Sequence, residues 1–221
     1  MKDNLSEILS EASNSIGITL GEKEIALFQE YYRILLFWNN KINLVSIKSD
    51  IDVPVKHFID SMIPLRFIEN KESSIIDIGT GAGFPGIPMK IAANRLKLSL
   101  VDSSRKKMSF LKHLIRKLQL VNTTTVNRRA ELIINEDIYR ENFDIIISRA
   151  SFKLPQFLKT GHHFIHTGGI LIAMKGINIE AELRQAEKIS RTVGLEYYAR
   201  HEIRLPITQD TRNIIIFKKT K

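Results

Sequence analysis

The chain contains no cysteine, which excludes disulfides, zinc–thiolate sites and thiol nucleophiles. It holds no apolar run of about 18 residues, the least that spans a bilayer. Its first stretch, MKDNLSEILSEAS, is too polar for a secretory signal, so a cytoplasmic protein without membrane association is expected. Acidic residues are in deficit: 24 Asp plus Glu stand against 33 Lys plus Arg, a net charge of +9 and a pI near 9.7. An imbalance of that size points to a polyanionic partner, nucleic acid before membrane. Internal repeats and low-complexity segments are missing as well. A length of 221 residues accommodates one sizeable domain with a helical extension, not two large ones.

What is there is organised around residues 75–90, IIDIGTGAGFPGIPMK. Ile75 to Ile78 read as a buried strand, β-branched and almost wholly apolar. Gly79, Gly81 and Gly83 then alternate, where a chain turns tightly and lets a ligand approach bare backbone. A helix follows, with Pro85 and Pro88 confined to its first turns, where a missing N–H costs least. Strand, glycine loop and helix N-terminus make a site for a nucleotide-like ligand. Two ligand readings compete, beside a plain glycine turn that binds nothing. Gly81, Gly83 and Gly86 spell the dinucleotide pattern G-x-G-x-x-G, with Asp102 following at about the usual distance. The rival, Asp77-x-Gly79-x-Gly81-x-Gly83, is the loop of S-adenosylmethionine (SAM) methyltransferases. A pyrophosphate needs free amides at the helix start, and two prolines stand there; this favours SAM.

Residues 1–70 read as a helical extension packed on the core, and residues 71–221 as the catalytic domain. In the extension, Leu5, Ile8, Leu9, Ala12 and Ile16 keep a helical apolar face. Thr19 with Glu22 suggests a capping box for a second helix, and a third opens near Asp52, carrying His57 and Asp60 one turn apart, a spacing that allows a bond between them, as a helix-stabilising surface pair or a functional one. From Ile75 onward strands alternate with helices: 98–102, 123–126, 143–148 and 170–174 are expected strands, and two late β segments, 197–205 and 213–217, form an antiparallel pair. The fold class is α/β, a Rossmann-like, seven-stranded, mostly parallel sheet with a reversed C-terminal hairpin, the methyltransferase version of the doubly wound sheet. Arg212 is expected in an exposed loop between the last two strands. His162, His163 and His166 are expected at an exposed helix end, with no metal site.

Ligands in such sheets sit outside the carboxyl ends of the strands. Asp102 there is expected to accept both ribose hydroxyls. Glu131 and the backbone of Ala130 are expected to meet the adenine edge, and Phe84 to pack near the ligand. The end of the fourth strand reads Ser148-Arg149-Ala150-Ser151, without the prolines and aromatic of the adenine-N6 and cytosine-N4 enzymes, and cytosine-C5 transfer commonly needs a cysteine. An acceptor already nucleophilic needs no base, and guanine N7 qualifies; in-line attack on a sulfonium methyl then requires proximity and alignment. Arg149, Arg129, Lys175 and Arg212 would hold phosphates or the guanine O6 and abstract no proton.

With these residues assembled, the chain resembles the bacterial small-subunit ribosomal RNA guanine-N7 methyltransferases (methyltransferase G, formerly glucose-inhibited division protein B). The resemblance covers nearly the whole chain and is carried by WNNKINLVS, KHFIDS, DIGTGAGFPGIP, LVDSSRKKMSFL, ISRA, AMKG and TRNIIIFKK. It implies methyl transfer from SAM to N7 of the guanine at position 527 of 16S rRNA, in the 530 loop. The implied substrate is the RNA or the 30S subunit and its precursors, and a monomer is the expected state. It also implies SAM contacts at Gly79, Phe84, Ala130, Glu131 and Arg149, with Arg129, Arg149, Lys175 and Arg212 near the active site. Ala82, Phe84 and Lys56 depart mildly from the family, where proline, leucine and arginine are frequent. A dinucleotide-binding protein and a non-catalytic RNA-binding factor remain as competing readings.

Overall fold

The computed structural model describes residues 2–221, with side chains from Asn4 onward. Strand β1 (Ser74–Ile78) lies inside the sheet, paired in parallel with β2 (Lys97–Val101) on one side and β4 (Phe143–Arg149) on the other. With β3 (Thr123–Val126), β5 (Ile165–Lys175), β6 (Leu195–Arg204) and β7 (Thr211–Lys219), the strand order is β3-β2-β1-β4-β5-β7-β6. β7 runs antiparallel to both its neighbours. After β3 the chain crosses back past β1 to form β4, so the order reverses between β1 and β4. A crevice opens there, at the carboxyl ends of the strands.

Alternation along β1 supplies both faces. Ile75 and Asp77 point to one, Ile76 and Ile78 to the other. The Ile75 face is covered by α4 (Gly86–Ala92) and α5 (Arg105–Lys117), and by the whole N-terminal segment. That segment comprises α1 (Lys2–Ser15), α2 (Glu22–Ile42), and a run that is π-helical over Asp52–Ile59, α-helical over Asp60–Met62 (α3) and 3-10 over Ile63–Phe67. Leu9, Phe28, Leu35 and Phe58 share one continuous apolar cluster with Ile147, Ile172 and Ile214 of the sheet. The opposite face is covered by α6 (Leu154–Gly161) and α7 (Glu180–Thr192).

Four details depart from the sequence reading. The second helix starts at Glu22, and the residue that closes its first turn is Glu24, whose carboxylate accepts from the Gly21 N–H at 3.0 Å. The expected Thr19–Glu22 box is two residues early, because glycine at the N-cap carries no side-chain signal. β5 begins at Ile165, five residues before the glycines suggest. Gly168 and Gly169 lie inside it at a register shift opposite Phe143 and Ile145, and a Cβ on Gly169 would stand 2.7 Å from the Asp144 carbonyl. Close backbone approach, not a turn, explains that glycine. Arg212 lies within β7, not in a loop. Of the three histidines, only His162 caps a helix end; His166 is in β5, and its Nε2 pairs with Asp144 at 2.9 Å, a carboxylate that sequence distance hid.

Candidate active site

Two adjoining cavities lie in the crevice. One, of about 600 Å³, is walled by Ile78, Gly79, Asp102, Ala130, Glu131 and Phe152 among others. The second, of about 530 Å³, is walled by His57, Asp60, Phe84, Arg149, Lys175 and Arg212 and rimmed by Lys48 and Lys56. They meet at Gly79, Lys107 and Ser151, which belong to both walls.

The first cavity is shaped by backbone. Gly79 and Gly81 both have positive φ, 72° and 61°, a region that disfavours any side chain. A Cβ at Gly79 would stand 2.6 Å from that of Ser151, whose hydroxyl donates to the Gly79 carbonyl at 2.6 Å. Ser148 similarly donates to the Ile78 carbonyl at 2.8 Å, so the end of β4 is fastened to the end of β1. At the end of β2, Asp102 accepts the Gly81 N–H at 3.0 Å on one oxygen and the Ser104 N–H at 2.8 Å on the other. Each oxygen keeps acceptor capacity for a ligand hydroxyl. Ala130 is buried and Glu131 exposed on the same wall.

Asp77 and Gly83 line neither cavity. Asp77 is fully buried, and one of its oxygens accepts from the Thr80 hydroxyl at 2.6 Å and the Gly86 N–H at 2.9 Å. Burial pushes its carboxyl up to about 7 despite those two donors. Gly83 is a packing residue: a Cβ there would come within 2.7 Å of Ile87. With Gly86 bonded to Asp77, and Pro85 and Pro88 lacking N–H groups, the start of α4 offers no open set of amides to a pyrophosphate, which disfavours the dinucleotide reading.

The second cavity is built on Asp60. One of its oxygens, Oδ2, accepts from Arg149 Nη1 at 3.3 Å and from Arg212 Nε at 3.2 Å. Its side chain is 4% exposed, and those of the arginines 16% and 23%. Arg149 also donates to the Lys56 carbonyl at 2.9 Å and meets His57 Nδ1 at 3.0 Å. His57 is pushed down to about 4 by burial first and by the Arg149 charge second, so it is neutral and accepts from the guanidinium. The sequence spacing suggested a His57–Asp60 bond; both side chains instead converge on Arg149. Phe84 lies under this group, 5.1 Å from the His57 ring and 4.9 Å from the Arg149 guanidinium. Tyr31 of α2 stacks on the other side of Phe84 and donates to the Ala82 carbonyl at 2.5 Å. Lys175 pairs with Glu182 at 2.9 Å and donates to the Phe152 carbonyl.

Of the four expected cationic residues, Arg149, Lys175 and Arg212 share this cavity, whereas Arg129 lies exposed on the wall of the other. Tyr31 and Ser151 carry no site signal of their own in the sequence, and the spacing of His57 and Asp60 suits a surface pair as well as a functional one. Only KHFIDS carried a hint, and its meaning depends on strands roughly 90 and 150 residues away.

A sequence profile described as rRNA small subunit methyltransferase G matches residues 24–208. The chain is 41% identical over 214 residues to a ribosomal RNA small subunit methyltransferase G of Syntrophus aciditrophicus, covering 96% of this chain and 89% of that one. It is 39% identical to the protein of the same name from Acetivibrio thermocellus, with 97% and 88% covered. Among solved structures, a SAM-dependent methyltransferase from Aquifex aeolicus superposes with a TM-score of 0.61 at 14% identity, over 86% of this chain and 98% of that one. TYW2 of M. jannaschii, solved with AdoMet, gives 0.56 at 14% identity over 73% and 76%. These two likenesses concern the fold.

Proposed function

This chain belongs to the rRNA small subunit methyltransferase G family, and on that premise we propose that it transfers a methyl group from SAM to N7 of the guanine at position 527 of 16S rRNA. SAM, when bound, supplies a methyl on a sulfonium that is activated toward in-line attack. Asp102 would hold the ribose hydroxyls with its spare acceptor capacity, Ala130 and Glu131 would meet the adenine, and the bare backbone of Gly79 would allow close approach. The residues fit such a ligand: a carboxylate at the end of β2 and a glycine loop face one cavity, which opens at Gly79 into another lined with cations.

The observation that carries the reading is that, among the described residues, the imidazole and carboxylates beside those cations are already engaged in hydrogen bonds. His57 spends Nδ1 on Arg149 and is held far below the ordinary imidazole range. Asp60 accepts from two arginines on Oδ2, and its other oxygen is buried. Asp52 accepts two backbone N–H groups and sits at about 2, a poor base. Guanine N7 presents its lone pair in the ring plane and loses no proton on attack. Arg149 and Arg212 donate to O6 or to neighbouring phosphates and offset charge there, while Asp60 fixes their direction. Lys48 and Lys56 at the rim extend the basic field toward the RNA backbone.

The test is to isolate small subunits from a strain lacking the gene, incubate them with the protein and isotopically labelled SAM, and map the label on the rRNA. A single labelled N7 at position 527 is the expected result. Label at another atom or nucleotide, or none, overturns the assignment. A non-catalytic assembly factor would leave the N7 mark unchanged in the deletion strain.

A further inference from the structure

At the junction of the two cavities, Gly79 and Ser151 are locked to one another, and the third wall residue is not. Lys107 stands in the first turn of α5, half-buried, and among the described residues its ammonium has no carboxylate or carbonyl partner. The other half-buried cations of the acceptor cavity are all paired: Arg149 and Arg212 with Asp60, Lys175 with Glu182, and Lys56 with Asp52. The Lys107 side chain reaches over the glycine loop. Its Nζ is the nearest neighbour, at 4.0 Å, of a Cβ built on Gly81, the residue whose N–H is bonded to Asp102.

A ribose held at Asp102 would stand beside Gly81, whose N–H that carboxylate accepts, so its 5′ substituent would pass the loop that Lys107 overhangs. The donor's sulfonium would then meet an unpaired ammonium, and the two positive charges would oppose one another. An anion placed between them removes the conflict. The donor carries one on the amino-acid arm that leaves the same sulfur. We propose that Lys107 binds the α-carboxylate of the donor's methionine portion and so anchors that arm at the start of α5. The inference rests on the donor reading above. An RNA phosphate is the other anion that reaches this point, and the test separates the two.

Isothermal titration with S-adenosylhomocysteine and with 5′-methylthioadenosine, which lacks the amino-acid arm, reads the contribution of the carboxylate. The wild-type protein is expected to bind the homocysteine nucleoside at least about tenfold tighter. Lys107→Met keeps the stem without the charge. It is expected to weaken S-adenosylhomocysteine about tenfold while changing methylthioadenosine less than about twofold, and Lys107→Arg to restore most of the difference. Equal weakening of both ligands, or unchanged S-adenosylhomocysteine affinity with a raised KM for rRNA, overturns the proposal. A wild-type protein that binds neither nucleoside overturns the donor reading itself, a distinguishable result.

Discussion

At the scale of single residues, two buried carboxylates, Asp60 and Asp77, organise the cations and the glycine loop around the crevice. Asp60 binds two guanidinium groups on one oxygen, so its removal leaves both cations without their partner in a largely buried position. Asp60→Ala is expected to lower stability by about 3 kcal/mol and to reduce methylation of the subunit by about as much as Arg149→Ala, on the order of 100-fold. Thermal melts and single-turnover rates check the two effects, and wild-type turnover in either variant contradicts the role given to the arginines. Asp77 carries a pH signature. Its folded value of about 7 lies above the ordinary value near 3.9, so the folded state binds the extra proton between those pH values. Stability contributed by the protonated carboxyl is full below about pH 4 and lost as pH rises toward 7. Asp77→Asn keeps an acceptor for Thr80 and Gly86 without the buried charge. Its melting temperature relative to wild type should therefore rise between pH 5 and pH 8; a flat difference refutes the shift.

At the scale of elements, the stretch from β1 through α4 was legible because its signals are local: β-branched run, alternating glycines, early prolines. The end of β4 was legible for the same reason, Arg149 following directly on an apolar strand. What could not be read was any partnership made across the sheet. Arg212 looks like a loop residue beside Asp210 and Thr211, yet pairing with β6 and contact with Asp60, 152 residues away, hold it in a strand. The extent of β5 was hidden because Gly168 and Gly169 carry a turn signal while the strand uses them at a register shift. The role of α2 was equally hidden: a tyrosine on an apolar face looks like core until its hydroxyl is found on the Ala82 carbonyl. Helix α2 thus braces the glycine loop from behind. Tyr31→Phe is expected to cost about 1 kcal/mol of stability and to weaken SAM binding several-fold, with the folded spectrum unchanged. Unaltered SAM affinity would mean the helix only covers the core.

At the scale of the whole molecule, composition alone points to a polyanionic partner, because an excess of nine positive charges is independent of the fold. Composition does not say where the field is focused. The structure gathers Lys48, Lys56, Lys107, Arg149, Lys175 and Arg212 on one cavity, with Asp52 and Asp60 as its acids. Raising salt from about 50 to 200 mM should therefore raise the KM for the subunit steeply, on the order of tenfold or more, through counterion release. SAM affinity should change far less over the same range, since a single lysine–carboxylate contact would respond to salt there while the RNA backbone presents many phosphates. Parallel salt dependence of both would contradict the division of labour between the cavities. Cations that guide an acceptor able to attack unaided are the centre of this account. The most direct measurement replaces the target guanosine with 7-deazaguanosine in reconstituted small subunits and follows methyl transfer under single-turnover conditions. The guanosine subunit should be labelled and the deaza subunit should not be, though both compete equally for binding. Label on the deaza subunit would show that another atom receives the methyl.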